Sequence, residues 1–144
     1  MLHNLALGTL LVALTVLIHT AGLAMLARLT PVMSQRLGFH NHDLGRSLVM
    51  IGSVLGLFLL HAIEVWLWAI SYDMVGAVTD FPRALELSTG MFSTLGYDDA
   101  SAIAPAWRLL TALEGINGFI LIGWSTAYLV GASTRHGPFR AGHF

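Results

Sequence analysis

The stretch Ser93-Thr94-Leu95-Gly96-Tyr97-Asp98-Asp99 places hydroxyl groups, a glycine and two adjacent carboxylates between strongly apolar segments. An irregular backbone with a glycine can turn successive carbonyl oxygens to one side, and a ring of such oxygens replaces the hydration shell of a cation. Carboxylates at the mouth of such a path concentrate cations by focusing the electric field. The residue types therefore predict a cation pathway, with Asp98 and Asp99 at its outer mouth.

The composition of the chain indicates a membrane protein. Of its 144 residues 56% are hydrophobic and only 10% are charged, which is more apolar than a typical soluble domain. The chain has seven arginines, no lysine and a net charge of −1, so it lacks the basic excess that nucleic-acid binding requires. The absence of cysteine excludes thiol chemistry. No catalytic triad or phosphate-binding loop stands out, and we predict neither an enzyme nor a cofactor.

Three segments are long enough to cross a bilayer, which takes about 20 apolar residues. They run from about Leu5 to Ala27, Leu48 to Ile70 and Leu109 to Ala132. This predicts an all-α protein with three transmembrane helices. Five of the seven arginines lie between the first two spans or after the third (Arg28, Arg36, Arg46, Arg135 and Arg140). By the positive-inside rule, we predict an inner or plasma membrane protein with its N-terminus outside and its C-terminus in the cytoplasm.

A short helix is predicted between the second and third spans. Asp80 is a suitable N-cap, Pro82 suits the first turn, and the apolar pattern ends at Ser93-Thr94 after about three turns. Such a helix is too short to cross the membrane, so it predicts a re-entrant pore helix. Irregular backbone at membrane depth is tolerated only where protein buries it or water lines it. The partly negative C-terminal end of the helix favours a cation there.

Together these segments resemble the pore domain of tetrameric potassium channels of the two-span bacterial type, with an extra N-terminal span. That family's filter has two threonines, an aliphatic residue, glycine, tyrosine, glycine and aspartate. Here Ser93 to Asp99 follow this pattern, except that Asp98 replaces the second glycine. The run Pro82-Arg83-Ala84-Leu85 is similar to the family's pore-helix start. Trp107-Arg108, Gly118 and Gly123 are similar to the start and bending region of its inner helix.

The resemblance implies a homotetramer in the lipid bilayer that conducts monovalent cations, most of all potassium. It places potassium sites at Thr94, Leu95, Gly96 and Tyr97, with Asp98 at the outer end of the filter. It makes Gly118 and Gly123 inner-helix hinges. The predicted division of the chain is residues 1–47 for the first span and a cytoplasmic loop, 48–132 for the pore domain and 133–144 for a short cytoplasmic tail.

Asp98 is the main departure from the family pattern. The family's glycine at this position adopts a backbone conformation that a side chain makes costly, so Asp98 is expected to distort the outermost ion site. Two alternatives to a potassium channel therefore stay open. One is a weakly selective or divalent-sensitive cation channel, and the other is a non-conducting accessory subunit.

Four polar residues are candidates for filter support or for the cavity. Glu86 either braces the filter through Arg83 or Arg108, or faces water near the mouth. Glu114 and Asn117 are three residues apart on the inner helix. One of them lines the cavity or packs behind the filter, and Asn117, next to a glycine, is the stronger cavity candidate.

Histidines raise separate hypotheses. His61 and Glu64 lie one helical turn apart on the second span, and intramembrane charge is costly, so they are expected to pair. That pair either fixes the outer helix against its neighbours or senses protons. His19 and His61 as facing ligands predict an alternative class of protein, with a haem or quinone site. The run from His40 to Asp43 is either a weak metal site or a solvated loop.

Overall fold

The computed structural model describes residues 1–36 and 43–136, with side chains for 1–33 and 44–135. These residues form four helices: α1 (Leu2–Arg36), α2 (Asp43–Met74), α3 (Phe81–Phe92) and α4 (Arg108–His136). Two short 3-10 turns, Ala100–Ala102 and Pro105–Trp107, lie between α3 and α4. The described part of the chain contains no strand, which confirms the predicted all-α class.

Three helices are long and apolar enough to cross a membrane: Leu2–Met33, Leu44–Met74 and Pro105–Arg135. Each contains one of the predicted spans and extends beyond it. The helices are longer than the apolar windows because backbone hydrogen bonding continues past the last apolar residue. The chain is a multi-pass membrane protein.

Helix α1 runs parallel to α4. The Asn4 side-chain amide donates to the carbonyl of Ala106 (2.7 Å) just before α4, and the Asn117 amide donates to the Thr15 hydroxyl (2.9 Å) further along both helices. The N-terminus therefore lies at the same end of the bundle as the segment that connects α2 to α4.

Helix α1 runs antiparallel to α2, and glycines let the two helices approach closely. A Cβ at Gly22 would lie 2.5 Å from the Leu60 side chain, and one at Gly56 would lie 2.5 Å from the Leu26 side chain. Small residues at such positions are typical of packed transmembrane helices. Helices α1 and α2 thus form a closely packed pair. Helix α1 also contacts α4.

Helix α3 begins as the sequence predicts. The Asp80 side chain accepts a hydrogen bond from the Arg83 backbone N–H (3.1 Å), and a proline occupies the first turn. This hydrogen bond holds the pKa of Asp80 below its usual range. The buried face of α3, which includes Ala84, Leu87 and Phe92, packs between α2 and α4.

The segment between α2 and α4 enters the fold and returns to the same end. The Ala104 N–H donates to the carbonyl of Ala77 (2.9 Å), which ties the exit of the segment to its entrance. At its deepest point the Phe92 carbonyl lies against Gly118, about 15 Å along α4 from its first residue at 1.5 Å per residue. Helix α3 is therefore re-entrant, as predicted.

Candidate functional site

The loop that follows α3 stays hydrogen-bonded to the end of that helix. Carbonyls in the last turn of a helix have no partner within the helix. Here three loop N–H groups donate to them: Ser93 to Thr89 (3.1 Å), Thr94 to Met91 (3.0 Å) and Gly96 to Gly90 (3.1 Å). These bonds hold the start of the predicted filter directly at the C-terminal end of α3.

Two residues of this loop have left-handed backbone conformations, Thr94 with φ 63° and Gly96 with φ 86°. A glycine accepts such a φ freely, so the backbone freedom that the sequence predicts at Gly96 is used there. For β-branched Thr94 it is an outlier, and residues held in such conformations cluster at functional sites. Thr94 is the only non-glycine residue with a positive φ in the described chain. The backbone cost expected at Asp98 is thus absent, and the strain lies at Thr94.

The predicted ion-site residues lie on an open surface of the chain. Thr94, Leu95, Gly96 and Asp98 are exposed, whereas Tyr97 is half-buried against the core. The Leu95 side chain is 89% exposed, an unusual state for a large apolar residue in a segment that returns from membrane depth. The side of the loop away from α3 is therefore open in the described part of the chain.

Gly90 carries no predicted role in the sequence, yet it contacts the filter loop directly. A Cβ at Gly90 would overlap the carbonyl oxygen of Gly96. The Gly96 carbonyl is therefore packed against α3, whereas the sequence pattern predicts that it turns toward a pore together with its neighbours. A glycine within a helix costs about 1 kcal/mol relative to alanine. A glycine inside the predicted pore helix was therefore the signal in the sequence that could have indicated a special role for Gly90.

A groove of about 450 Å³ lies between the outer face of α3 and the loop. Glu86 is an exposed side chain of this groove, and Arg108 is exposed at the start of α4. The Arg83 Nε lies 3.6 Å from an Asp80 carboxylate oxygen. The groove is lined by Arg83, Glu86, Gly90, Leu95, Gly96, Tyr97, Asp98 and Asp99. Charged side chains of α3 and of the loop therefore lie in one groove beside the predicted filter.

Asp99 caps the turn that follows the loop. Its carboxylate accepts from the Ser101 hydroxyl (2.5 Å) and from the Ala102 N–H (3.2 Å). The hydrogen bond from Ser101 is the main reason why the pKa of Asp99 lies below its usual range. Asp98 is exposed beside it. Asp99 therefore keeps its negative charge at neutral pH and somewhat below.

Glu114 joins three helices behind the re-entrant segment. Its side chain is fully buried and accepts from the Tyr72 hydroxyl of α2 (2.6 Å) and the Ser88 hydroxyl of α3 (2.5 Å). The Ser88 oxygen also lies 2.9 Å from the Val65 carbonyl. The sequence predicts that Glu114 either lines the cavity or packs behind the filter. The structure places it in the packing position, behind the short helix α3.

Asn117, the stronger cavity candidate from the sequence, lies elsewhere. Its side chain is 3% exposed and donates to the Thr15 hydroxyl of α1. An added N-terminal helix covers this face of α4, so Asn117 is directed at α1 and not at an open surface.

The two predicted hinge glycines have different surroundings within a continuous α4. A Cβ at Gly118 would overlap the Phe92 carbonyl oxygen and would lie 2.8 Å from two further backbone atoms of Phe92. A Cβ at Gly123 would have open space around it, with nothing within 4 Å. Gly118 therefore permits the close contact of α4 with the end of α3, and Gly123 does not take part in such a contact.

This difference gives a prediction for Gly118→Ala. The added methyl group meets backbone that cannot rotate away, so we expect a loss of about 1–3 kcal/mol of stability from overpacking. Thermal unfolding of the purified protein in detergent measures it. Gly123→Ala is the matched control and should leave the unfolding temperature the same or higher. Equal unfolding temperatures for both variants would contradict the packing role of Gly118.

His61 and Glu64 pair as predicted, and the pair extends to α1. The Glu64 carboxylate lies 3.0 Å from His61 Nδ1 and 2.9 Å from His19 Nδ1. This fixes α2 against the first span. The two imidazole rings are 5.4 Å apart and both Nδ1 atoms contact the same carboxylate, so the rings are directed at Glu64 and do not face each other as the haem hypothesis predicts. The run from His40 to Asp43 lies outside the described side chains.

Comparison with known proteins agrees with this architecture. A family model described as "Ion channel" matches residues 58–135, which include the second half of α2, all of α3, the loop and nearly all of α4. Comparisons with curated proteins and with solved structures found no match. The matched region is more than half of the chain and contains the whole predicted filter. The chain belongs to the ion-channel family of the two-span potassium-channel type and carries one further helix at its N-terminus.

Proposed function

We propose that four copies of the chain form a cation channel that prefers potassium. The observation that carries the proposal is the exposed loop from Thr94 to Tyr97. It begins at the C-terminal end of a re-entrant helix and carries left-handed residues at Thr94 and Gly96. Carbonyl oxygens of such a loop replace the hydration shell of a cation when several copies surround it.

Assembly follows from what one chain lacks. A single loop cannot surround an ion, and its Leu95 side chain is 89% exposed. A neighbouring face of α4 is also apolar and exposed, with Ile116 at 61% and Phe119 at 70%. Closed cyclic symmetry would cover both surfaces with identical copies around a central axis. The number four comes from the family to which the chain belongs.

Electrostatics favour a cation at this site. The C-terminal end of α3 carries partial negative charge that points toward the loop. Asp98 and the ionised Asp99 add carboxylates at the opposite end of the loop. In this proposal they face the outside, and Arg28, Arg46 and Arg135 face the cytoplasm at the other end of the bundle.

Weak selectivity is the second candidate, and two observations favour it. The Gly96 carbonyl is packed against Gly90 in the single chain. A potassium site requires this carbonyl to point toward the pore axis together with its neighbours. Asp98 also replaces the family's glycine. A channel that conducts sodium and potassium alike would follow if this arrangement persists in the tetramer.

Ion flux into liposomes that contain the purified protein tests the proposal. We expect potassium to permeate several-fold better than sodium, and Asp98→Gly to raise that ratio because it restores the family pattern. Gly96→Ala should abolish flux, since a left-handed conformation costs a non-glycine residue about 1–2 kcal/mol. Absence of flux for potassium, sodium and calcium would refute a channel. A potassium-to-sodium ratio near unity in the wild type would favour the second candidate.

Asp99→Asn tests the role of charge at the mouth. Removing the carboxylate should lower potassium flux at low ionic strength and have little effect at physiological salt, because the screening length falls from about 30 Å at 0.01 M to about 8 Å at 0.15 M. Since the pKa of Asp99 is lowered, the wild-type advantage should persist as pH falls to the ordinary carboxyl range. Asp73→Asn, an exposed acid outside the groove, is the control. Equal flux for Asp99→Asn and wild type at low salt would exclude this role.

A further inference from the structure

Three helices bring titratable side chains together at one buried point. His19 comes from α1, His61 and Glu64 come from α2, and Ser125 comes from α4. His19 and Glu64 are fully buried, and each histidine Nδ1 contacts a different oxygen of the carboxylate, at 2.9 and 3.0 Å. One ligand atom from each of His19, His61 and Glu64 lies within 4.8 Å of the others.

We propose that His19, His61 and Glu64 bind a divalent transition-metal ion of the zinc class. Two imidazole nitrogens and a carboxylate are a donor set that suits Zn²⁺, with ligand distances of about 2.0–2.2 Å. Potassium, magnesium and calcium prefer oxygen donors only. The N···O separations of 2.9 and 3.0 Å are hydrogen-bond distances, and these atoms need to separate by only about 0.3 Å to take adjacent positions around a tetrahedral ion. The site is distinct from the loop that carries the proposed ion path.

Ser125 lies where it would accept hydrogen bonds from both histidines if a metal replaced the two Nδ1 protons. Ser125 Oγ lies 3.0 Å from His61 Nε2 and 3.4 Å from His19 Nε2. With neutral rings that donate from Nδ1 to Glu64, both Nε2 atoms are acceptors and compete for the one hydrogen of Ser125. With a metal on the Nδ1 atoms, both Nε2 atoms carry hydrogen and the Ser125 oxygen accepts both. Metal-bound histidines usually have such an acceptor behind them.

The position of Glu64 within a membrane span also favours a bound cation. A carboxylate within a membrane span is costly unless a positive charge accompanies it. The ion-pair partners of Glu64 in the described chain are His19 and His61. The rings that face the histidines from the other helices are apolar in character, Trp124 at 5.4 Å from His19 and Phe92 at 5.5 Å from His61. A divalent ion held by the three residues would place positive charge directly at this carboxylate.

The cluster is accessible from one side. The His61 side chain is 20% exposed and lines a cavity of about 360 Å³ together with Phe92 and Ser93 at the end of α3. This cavity is the side on which the cluster opens to the surface. Once bound, it would join α1 to α2 beside the start of the filter loop, which gives the extra N-terminal helix a specific role.

Metal content and thermal stability of the full chain test this inference. The protein, purified in detergent without a histidine tag and stripped with a chelator, is dialysed against buffered ZnCl2. We expect stoichiometric zinc by mass spectrometry and a higher unfolding temperature. His61→Asn and Glu64→Gln should lose both effects. Ser125→Ala should weaken zinc binding by about 10–100-fold, as is typical for the group behind a ligand.

Two controls separate this site from the other histidines. His3→Asn, at an exposed position near the N-terminus, and the double variant His40→Asn/His42→Asn should keep full zinc binding. Glu64→Gln preserves side-chain shape, and its unfolding temperature without zinc reports whether it folds. The inference is overturned if the wild type binds no more zinc than His61→Asn, or if the double variant removes the zinc. Neither readout depends on ion flux, so failure here is distinguishable from failure of the channel proposal.

Discussion

Glu114→Ala should destabilise the fold by about 2–5 kcal/mol, the largest stability loss that we expect from a single substitution. The change leaves the buried Tyr72 hydroxyl without its acceptor, and the Ser88 hydroxyl keeps only the Val65 carbonyl. Each unsatisfied buried group costs about 1–3 kcal/mol, and the cavity left by the side chain adds to this. Because Glu114 joins α2, α3 and α4, loss of the contact should also loosen the re-entrant segment. Unfolding in denaturant, monitored in detergent, measures the effect.

Two further variants should show intermediate losses of stability, and a third is the control. Glu114→Gln keeps the shape and one acceptor oxygen, so its loss should be smaller than that of alanine. Tyr72→Phe removes one of the two donors and should fall in between. Glu86→Ala, at an exposed position on α3, should change stability by no more than about 0.5 kcal/mol. If Glu114→Ala unfolds at the same denaturant concentration as Glu86→Ala, the buried contact does not stabilise the fold.

Gly90→Ala should cause the largest change in ion selectivity while the fold is retained. The added Cβ would overlap the Gly96 carbonyl oxygen, so the loop has to move away from α3. The helix itself gains up to about 1 kcal/mol from alanine, which keeps α3 intact. We expect the potassium-to-sodium permeability ratio to change several-fold in liposomes, or flux to be lost.

The control for Gly90→Ala is Gly115→Ala. A Cβ at Gly115 would have an ordinary contact with the Met91 carbonyl oxygen, at 3.6 Å. This variant should therefore conduct with the wild-type ratio. If Gly90→Ala also keeps that ratio, the position of the Gly96 carbonyl does not determine selectivity, and the filter would have to be sought among the other carbonyls of the loop.

Local signals in the sequence were sufficient for the elements of this fold. Length and apolarity predicted the three long helices, since an apolar stretch of that size has few other stable environments. The start of α3 followed from Asp80 and Pro82, because capping depends on neighbouring residues only. Residue types alone indicated the cation pathway between Ser93 and Asp99, and the family match includes that stretch.

Contacts between distant segments were decided by the tertiary structure alone. Whether Asn117 faces a cavity or another helix depends on α1, more than a hundred residues earlier in the chain. The same packing brings His19 to Glu64. The strain at Thr94 and the need for a glycine at Gly90 arise only when the loop folds back on α3. Sequence patterns report on periodicity and local capping, whereas these features depend on how closely two backbones approach each other.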